Sequence, residues 1–94
     1  MTEFKGTPGP WMVSGQNLDS IVDSNGDVVA LACRYGENRL CREESEVMAN
    51  ACLIASARYL LESLIGLLPL AEMYRGSKEY KKAEEAIKAA LGDK

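Results

Sequence analysis

The sequence predicts a small α+β protein in which a three-stranded antiparallel β-meander precedes a long α-helix and a shorter C-terminal helix. Three observations indicate this order. An Asn-Gly pair lies between two β-branched runs, residues 47–70 are largely apolar, and residues 78–91 repeat apolar side chains at helical spacing. Because three short strands need one covered face to be stable, we expect the long helix to pack on the sheet.

The chain has 94 residues, which is enough for one modest hydrophobic core. We therefore expect a single domain over residues 1–94. Within it we assign residues 1–6 to a loose leader, residues 7–34 to the β-meander and residues 43–91 to the helical part.

Three short runs predict the strands. Residues 11–13 (W-M-V) predict the first, and residues 20–23 and 27–33 predict the second and third. The Asn-Gly pair between the last two predicts a type I′ turn, which needs a positive φ at two successive residues. We expect Trp11 to anchor the core, with its indole N–H bonded to the backbone.

The long helix is predicted to begin near Glu43, where acidic side chains in the first turn suit the helix dipole. Two interpretations of its length stay open. It is either one helix to Leu68, or two segments with Ser56 capping the second. Pro69 predicts a kink or an end.

The C-terminal helix is predicted over about residues 78–91. Ser77 is a favoured N-cap residue, and Gly92 is placed to end the helix. Lysine and glutamate side chains four residues apart would support its exposed face.

Asn50 is a polar side chain inside the longest apolar helical stretch. At about 100° per residue, it projects close to the centre of a broad apolar arc formed by Val47, Ala51, Ile54, Ala57, Leu60, Leu61, Leu64, Ile65 and Leu68. A buried amide without hydrogen bonds costs about 1–3 kcal/mol. We therefore expect a backbone edge, a partner chain or a ligand to receive this amide, and we favour a structural role over a ligand contact.

A second apolar strip lies on the side of the long helix that is expected to face solvent. It consists of Met48, Cys52, Ala55 and Tyr59. Either the C-terminal helix packs there, or the strip is a subunit interface. Because one small sheet cannot cover this much aliphatic surface, we expect Met48, Cys52 and Tyr59 to form the interface of a homo-oligomer.

The composition excludes several functional classes. The net charge of −3 and pI near 4.9 lack the positive field that non-specific nucleic-acid binding uses, so nucleic acid is not an expected partner. The chain has no histidine, which removes the commonest general base and the commonest metal ligand. We expect no catalytic residues, no metal and no cofactor, and hence no enzyme.

The cysteine count and the hydropathy pattern suggest a location. Three cysteines without a CxxC pair favour a reduced intracellular setting. The N-terminus lacks a basic region followed by an apolar run, so the sequence does not predict a secretory signal. Asn50, Arg58 and Glu62 interrupt the apolar stretch, which disfavours a membrane span. We expect a cytoplasmic protein.

One loop carries the features of an anion site. Arg34, Tyr35, Arg39 and Arg42 precede a helix N-terminus, where free backbone N–H groups and the dipole favour anions. Arginine also binds phosphate bidentately. Together with Asn50, these residues are the candidate ligand site. Glutamates in and after the loop already supply negative charge, so a solvated loop is the favoured alternative.

An ordered set of motifs then resembles a known family. Residues 7–11 (T-P-G-P-W), a hairpin ending in G-D-V-V-A, residues 50–57 (N-A-C-L-I-A-S-A) and residues 60–64 (L-L-E-S-L) occur in this order. The chain resembles short accessory proteins of tailed phages and prophages that open with T-P-G-P-W and carry an N-A-x-L-I-A-A-A-P-x-L-L-E-A-L helix. It departs at Arg58, where the family pattern has proline.

The resemblance implies a phage early-region protein that modifies or disarms its host, and it transfers no active residues. We therefore expect a non-enzymatic binding protein. It would inhibit a host process such as antiviral defence, through a host protein or by sequestering a small anionic, nucleotide-like molecule. The alternatives are a nucleic-acid-associated phage early protein and a purely structural oligomeric module.

Overall fold

The computed structural model describes residues 4–35 and 42–92 and confirms the α+β fold class. The elements are β1 (Met12–Val13), β2 (Ser20–Val22), β3 (Val28–Leu31), α1 (Glu44–Leu67), a 3-10 segment (Leu68–Tyr74) and α2 (Lys78–Ala90).

The chain forms two compact units. The N-terminal unit is Thr7–Arg58, and the C-terminal unit is Tyr59–Lys94 together with Met1–Gly6. Helix α1 begins in the first unit and ends in the second. The expectation of a single domain stays a prediction, and each unit is described by itself.

The sheet is an antiparallel meander in the order β1-β2-β3. Val13 lies opposite Ile21, and Ile21 lies opposite Ala30. The pairing shifts between Ile21 and Val22, where the ladder is irregular. The alternation of the sequence places Ile21 on the covered face of the sheet, where it is fully buried.

The hairpin between β2 and β3 forms as predicted, but its turn differs from type I′. The Gly26 N–H donates to the Asp23 carbonyl (3.0 Å), and the Asp23 N–H donates to the Asp27 carbonyl (2.9 Å). The loop therefore has three residues and turns one position earlier than a two-residue loop would. Oδ1 of Asp23 explains the shift, because it accepts hydrogen bonds from the N–H groups of Asn25 (2.9 Å) and Asp27 (3.0 Å).

The core of the N-terminal unit lies between the sheet and the first half of α1. Its buried residues are Ile21, Ala32, Val47 and Ala51. Trp11 is half-buried against this cluster, and its Nε1–H donates to the Thr7 carbonyl at 3.1 Å. The predicted role of Trp11 as an anchor bonded to the backbone is confirmed.

The question of one helix or two is answered by α1, which is a single α-helix of 24 residues. Arg58 allows this continuity, since a proline there would remove a hydrogen bond from the helix interior. The Arg58 side chain lies against the T-P-G-P-W segment, because a Cβ on Gly9 would stand 2.7 Å from Arg58 Nη1. Pro69 follows in the first turn of the 3-10 segment, which kinks at Ala71.

The C-terminal unit is built around α2. Ser77 Oγ accepts the Tyr80 N–H at 3.1 Å, so the predicted N-cap is confirmed, and Gly92 follows the helix with φ +80°. The buried residues are Leu61, Leu68, Tyr80 and Ile87, and Phe4 from the predicted leader packs half-buried against them. The Tyr80 hydroxyl also donates to Glu72 at 3.3 Å.

Gly26→Ala tests the hairpin. Gly26 has φ +85°, and an L side chain there costs about 1–2 kcal/mol of folding stability. Gly15→Ala is the matched control, because a Cβ at Gly15 meets open space and its φ lies outside the left-handed region. Urea denaturation of both variants checks this expectation. Equal destabilisation by the two substitutions would contradict it.

Ser77→Ala tests the helix cap. Losing the Oγ acceptor should lower the free energy of unfolding by about 0.5–2 kcal/mol. Ser63→Ala, at an exposed position inside α1, should be neutral or slightly stabilising because alanine favours helix. A Ser77→Ala protein as stable as the wild type in urea would rule out the cap as a contributor.

Candidate functional site

The structure brings together two of the four residues in the predicted anion loop. The Arg42 N–H donates to the Arg34 carbonyl at 2.6 Å, so these two arginines meet at the base of the loop. Tyr35 follows Arg34 and is exposed. Arg39 lies outside the described residues.

Both described arginines of this loop already have a carboxylate partner. Arg34 Nε donates to Asp19 Oδ2 at 2.9 Å, and Arg42 Nη1 lies 3.4 Å from Glu46 Oε1. Both pairs are partly exposed, so each is worth little in stability. An anion that bound here would have to compete with these carboxylates.

Asn50 does not lie where the helical projection places it. Its side chain is exposed, and within the described chain it makes no side-chain hydrogen bond. The expectation of a buried amide is therefore wrong for this chain by itself. The reason is a rotation of the buried side of α1, which is centred on Val47, Ala51 and Leu61 instead.

The same rotation exposes part of the predicted apolar arc. Ala57 is exposed, and so is about half of Leu60 (52%). Leu53 (64%) and Leu67 (60%) are also exposed, and neither is among the predicted site residues. A regular spacing in the sequence could have identified them. Residues 50, 53, 57, 60, 64 and 67 follow one another in alternating steps of three and four, as residues on one side of a helix do.

The predicted interface residues are all accessible. Met48 (40%) and Tyr59 (73%) are exposed large side chains, and Cys52 is an exposed free cysteine. Their role in a homo-oligomer stays a prediction. The alternative that α2 covers the strip fails at Tyr59, because α2 packs on Leu61 and Leu68 within the C-terminal unit and leaves Tyr59 open.

The C-terminal unit contains an apolar groove of about 380 Å³. It lies between the end of α1, the 3-10 segment and α2, and it is lined mainly by Leu64, Leu67, Leu68, Ala71, Tyr74, Tyr80 and Ala83. Leu70 and Met73, beside it in the chain, are strongly exposed. A groove of this size and character accepts apolar side chains.

The helical stretch Glu44–Tyr74 is long and apolar enough to span a membrane, by length and composition only. Its most apolar window has a mean hydropathy of 1.6. One such helix is weak evidence for a membrane protein, since core helices of soluble proteins pass the same test. However, only 11% of the window is buried, so little of this apolar stretch lies in a core.

These features define a class of small α+β proteins in which a three-stranded meander precedes one long helix with much exposed apolar surface. The sequence model of the family described as Salmonella phage P22 protein Y8K6 matches residues 1–94, so the chain belongs to this phage protein family. The expectation of a phage protein is thereby confirmed. Comparisons with curated proteins and with solved structures gave no match.

Asp19→Ala tests the Arg34 ion pair. Because the pair is partly exposed, its loss should lower the free energy of unfolding by no more than about 1 kcal/mol. Asp23→Ala should cost more, since Asp23 accepts two backbone N–H groups in the hairpin loop and each bond contributes about 0.5–1.5 kcal/mol. Thermal or urea denaturation decides the order. A larger loss for Asp19→Ala would show that the ion pair supports the fold.

Proposed function

We propose that this phage protein acts by binding a host protein and thereby inhibits a host process such as antiviral defence. The free protein is a homo-oligomer in the host cytoplasm, and it acts without catalysis. The observation that carries the proposal is the amount of exposed apolar surface on α1 and the 3-10 segment. Exposed apolar patches of this kind mark interaction surfaces in proteins of ordinary composition.

The apolar groove of the C-terminal unit supports a protein partner. Its lining is mostly aliphatic and aromatic, with Ser77 and Glu79 as the polar side chains at its side. Tyrosines such as Tyr74 and Tyr80 are favoured at protein interfaces because they join a large apolar ring to a hydroxyl. We therefore assign to the groove an apolar side chain from a segment of the host protein.

Sequestration of a small anionic, nucleotide-like molecule is the second candidate. The backbone hydrogen bond between Arg42 and Arg34, which brings the two residues together, favours it. The carboxylates of Asp19 and Glu46 oppose it, because each already neutralises one of these arginines. Nucleic acid is a weaker candidate still, since the net charge is −3.

Tyr74→Ser tests the host-protein proposal, with Met73→Ser as the matched control. Both side chains are exposed in the 3-10 segment, but only Tyr74 lines the groove. Tagged proteins are incubated with a lysate of Salmonella, the genus in the family description, and the captured polypeptides are quantified by mass spectrometry. We expect one host polypeptide to be captured by the wild type and Met73→Ser. Tyr74→Ser should reduce its affinity by about tenfold or more, as loss of a central tyrosine does.

The outcomes separate the candidates. Equal capture by all three proteins excludes the groove as the binding site. Native mass spectrometry of protein purified from phage-infected cells tests the anionic alternative. A bound nucleotide that is held more tightly by Asp19→Ala, in which Arg34 is released from its carboxylate, would support sequestration instead.

A further inference from the structure

Two mostly apolar seams run along helix α1, and within residues 4–35 and 42–92 only one of them is covered. The covered seam consists of Val47, Ala51, Ile54, Arg58, Leu61 and Ile65 and continues to Leu68 in the 3-10 segment; all of these residues are buried or half-buried. The open seam is Asn50, Leu53, Ala57, Leu60, Leu64 and Leu67, of which only Leu64 is half-buried. Both seams alternate steps of three and four residues, which is the spacing of a and d positions in a coiled coil.

We propose that the open seam is covered by the open seam of a second copy of this chain, in a parallel two-stranded packing that brings the two Asn50 side chains together. We take this dimer to be the homo-oligomer proposed above, so it rests on that part of the proposed function. This dimer has its interface at the open seam, whereas the apolar pattern of the sequence predicts an interface at Met48, Cys52 and Tyr59.

The chemistry of the open seam favours a second copy over an unrelated partner. None of its six positions is charged, so it offers no charge pattern for a charged partner to recognise. The positions beside it in the heptad, Ala49, Ser56 and Ser63, are small, uncharged and exposed. The positions on the other flank, Ile54, Leu61 and Leu68, belong to the covered seam. A second helix can therefore approach from the flank with the small residues, and an identical seam complements it.

Asn50 sets the orientation. In heptad terms Asn50, Ala57 and Leu64 take the a positions, while Leu53, Leu60 and Leu67 take the d positions. In a parallel pair in register, the Asn50 amide meets the same amide of the partner and both are hydrogen-bonded. In an antiparallel pair, Asn50 would meet the leucine end of the other seam and lose its hydrogen bonds to water without replacement.

The length of the seam sets the strength of the dimer. From Asn50 to Leu67 it spans about 26 Å, which is about two and a half heptads. An interface of this length lies at or below the low end of the roughly 1,200–2,000 Å² that stable complexes bury. We therefore expect a reversible dimer whose population changes with protein concentration.

Leu60→Glu tests the seam, with Tyr59→Glu as the matched control. Both residues are exposed neighbours on α1, but only Leu60 belongs to the open seam. In sedimentation velocity over a concentration series, the wild type and Tyr59→Glu should shift from monomer to dimer. Leu60→Glu should remain monomeric over the same range. Far-ultraviolet circular dichroism confirms that each variant is folded.

Asn50→Leu tests the orientation. Replacing the single polar a residue should strengthen association and relax its specificity, so that species larger than a dimer appear. An Asn50→Leu protein that keeps the wild-type dimer and affinity would refute the paired amides.

Three results would overturn the proposal itself. The first is a wild-type protein that is monomeric at every concentration. The second is a dimer that is dissociated by Tyr59→Glu but not by Leu60→Glu, which would favour an interface formed by Met48, Cys52 and Tyr59. The third is a monomer that floats with vesicles of phosphatidylethanolamine and phosphatidylglycerol, which would assign the seam to lipid. The host-protein proposal is tested separately, by comparing capture of the host polypeptide by the wild type and Tyr74→Ser. A failure of the dimer proposal therefore does not decide the outcome of that experiment.

Discussion

The rest of the structure depends on how α1 distributes its apolar surface. In the N-terminal unit the sheet packs on Val47 and Ala51, and in the C-terminal unit α2 packs on Leu61 and Leu68. A helix presents side chains all round, and residues 4–35 and 42–92 form no further element that covers the adjacent side of α1. The exposed leucines are therefore a consequence of the number and order of the elements, and their spacing alternates steps of three and four residues.

The elements that could be predicted from the sequence are those fixed by local hydrogen bonds. Ser77 bonds to a backbone N–H three residues away, and Trp11 bonds to a carbonyl four residues away. Such interactions need only the neighbouring residues, so their signals survive in the sequence. The type of the hairpin turn was missed for a local reason as well, because the carboxylate of Asp23 outweighed the preference of the Asn-Gly pair.

The exposure of Asn50 could not be predicted, because two mostly apolar seams on one helix merge into a single broad arc in projection. Which seam faces the core is decided by tertiary contacts with Ile21 and Ala32, and these residues are far away in sequence. The candidate anion site shows the same limit. Arg34 and Arg42 flank one loop and could be placed together, whereas the ion pair between Arg34 and Asp19 joins residues 15 positions apart across the sheet.

The two proposed binding events share residues, and this links them thermodynamically. Leu64 and Leu67 belong to the open seam and also line the groove. Leu67 is 60% exposed, and one partner that covers it removes the surface available to the other. A host protein in the groove and a second copy on the seam therefore compete, and by linkage each weakens the affinity for the other by the same factor. Binding of the host protein would then release monomers, so the dimer would serve as the resting form of the phage protein.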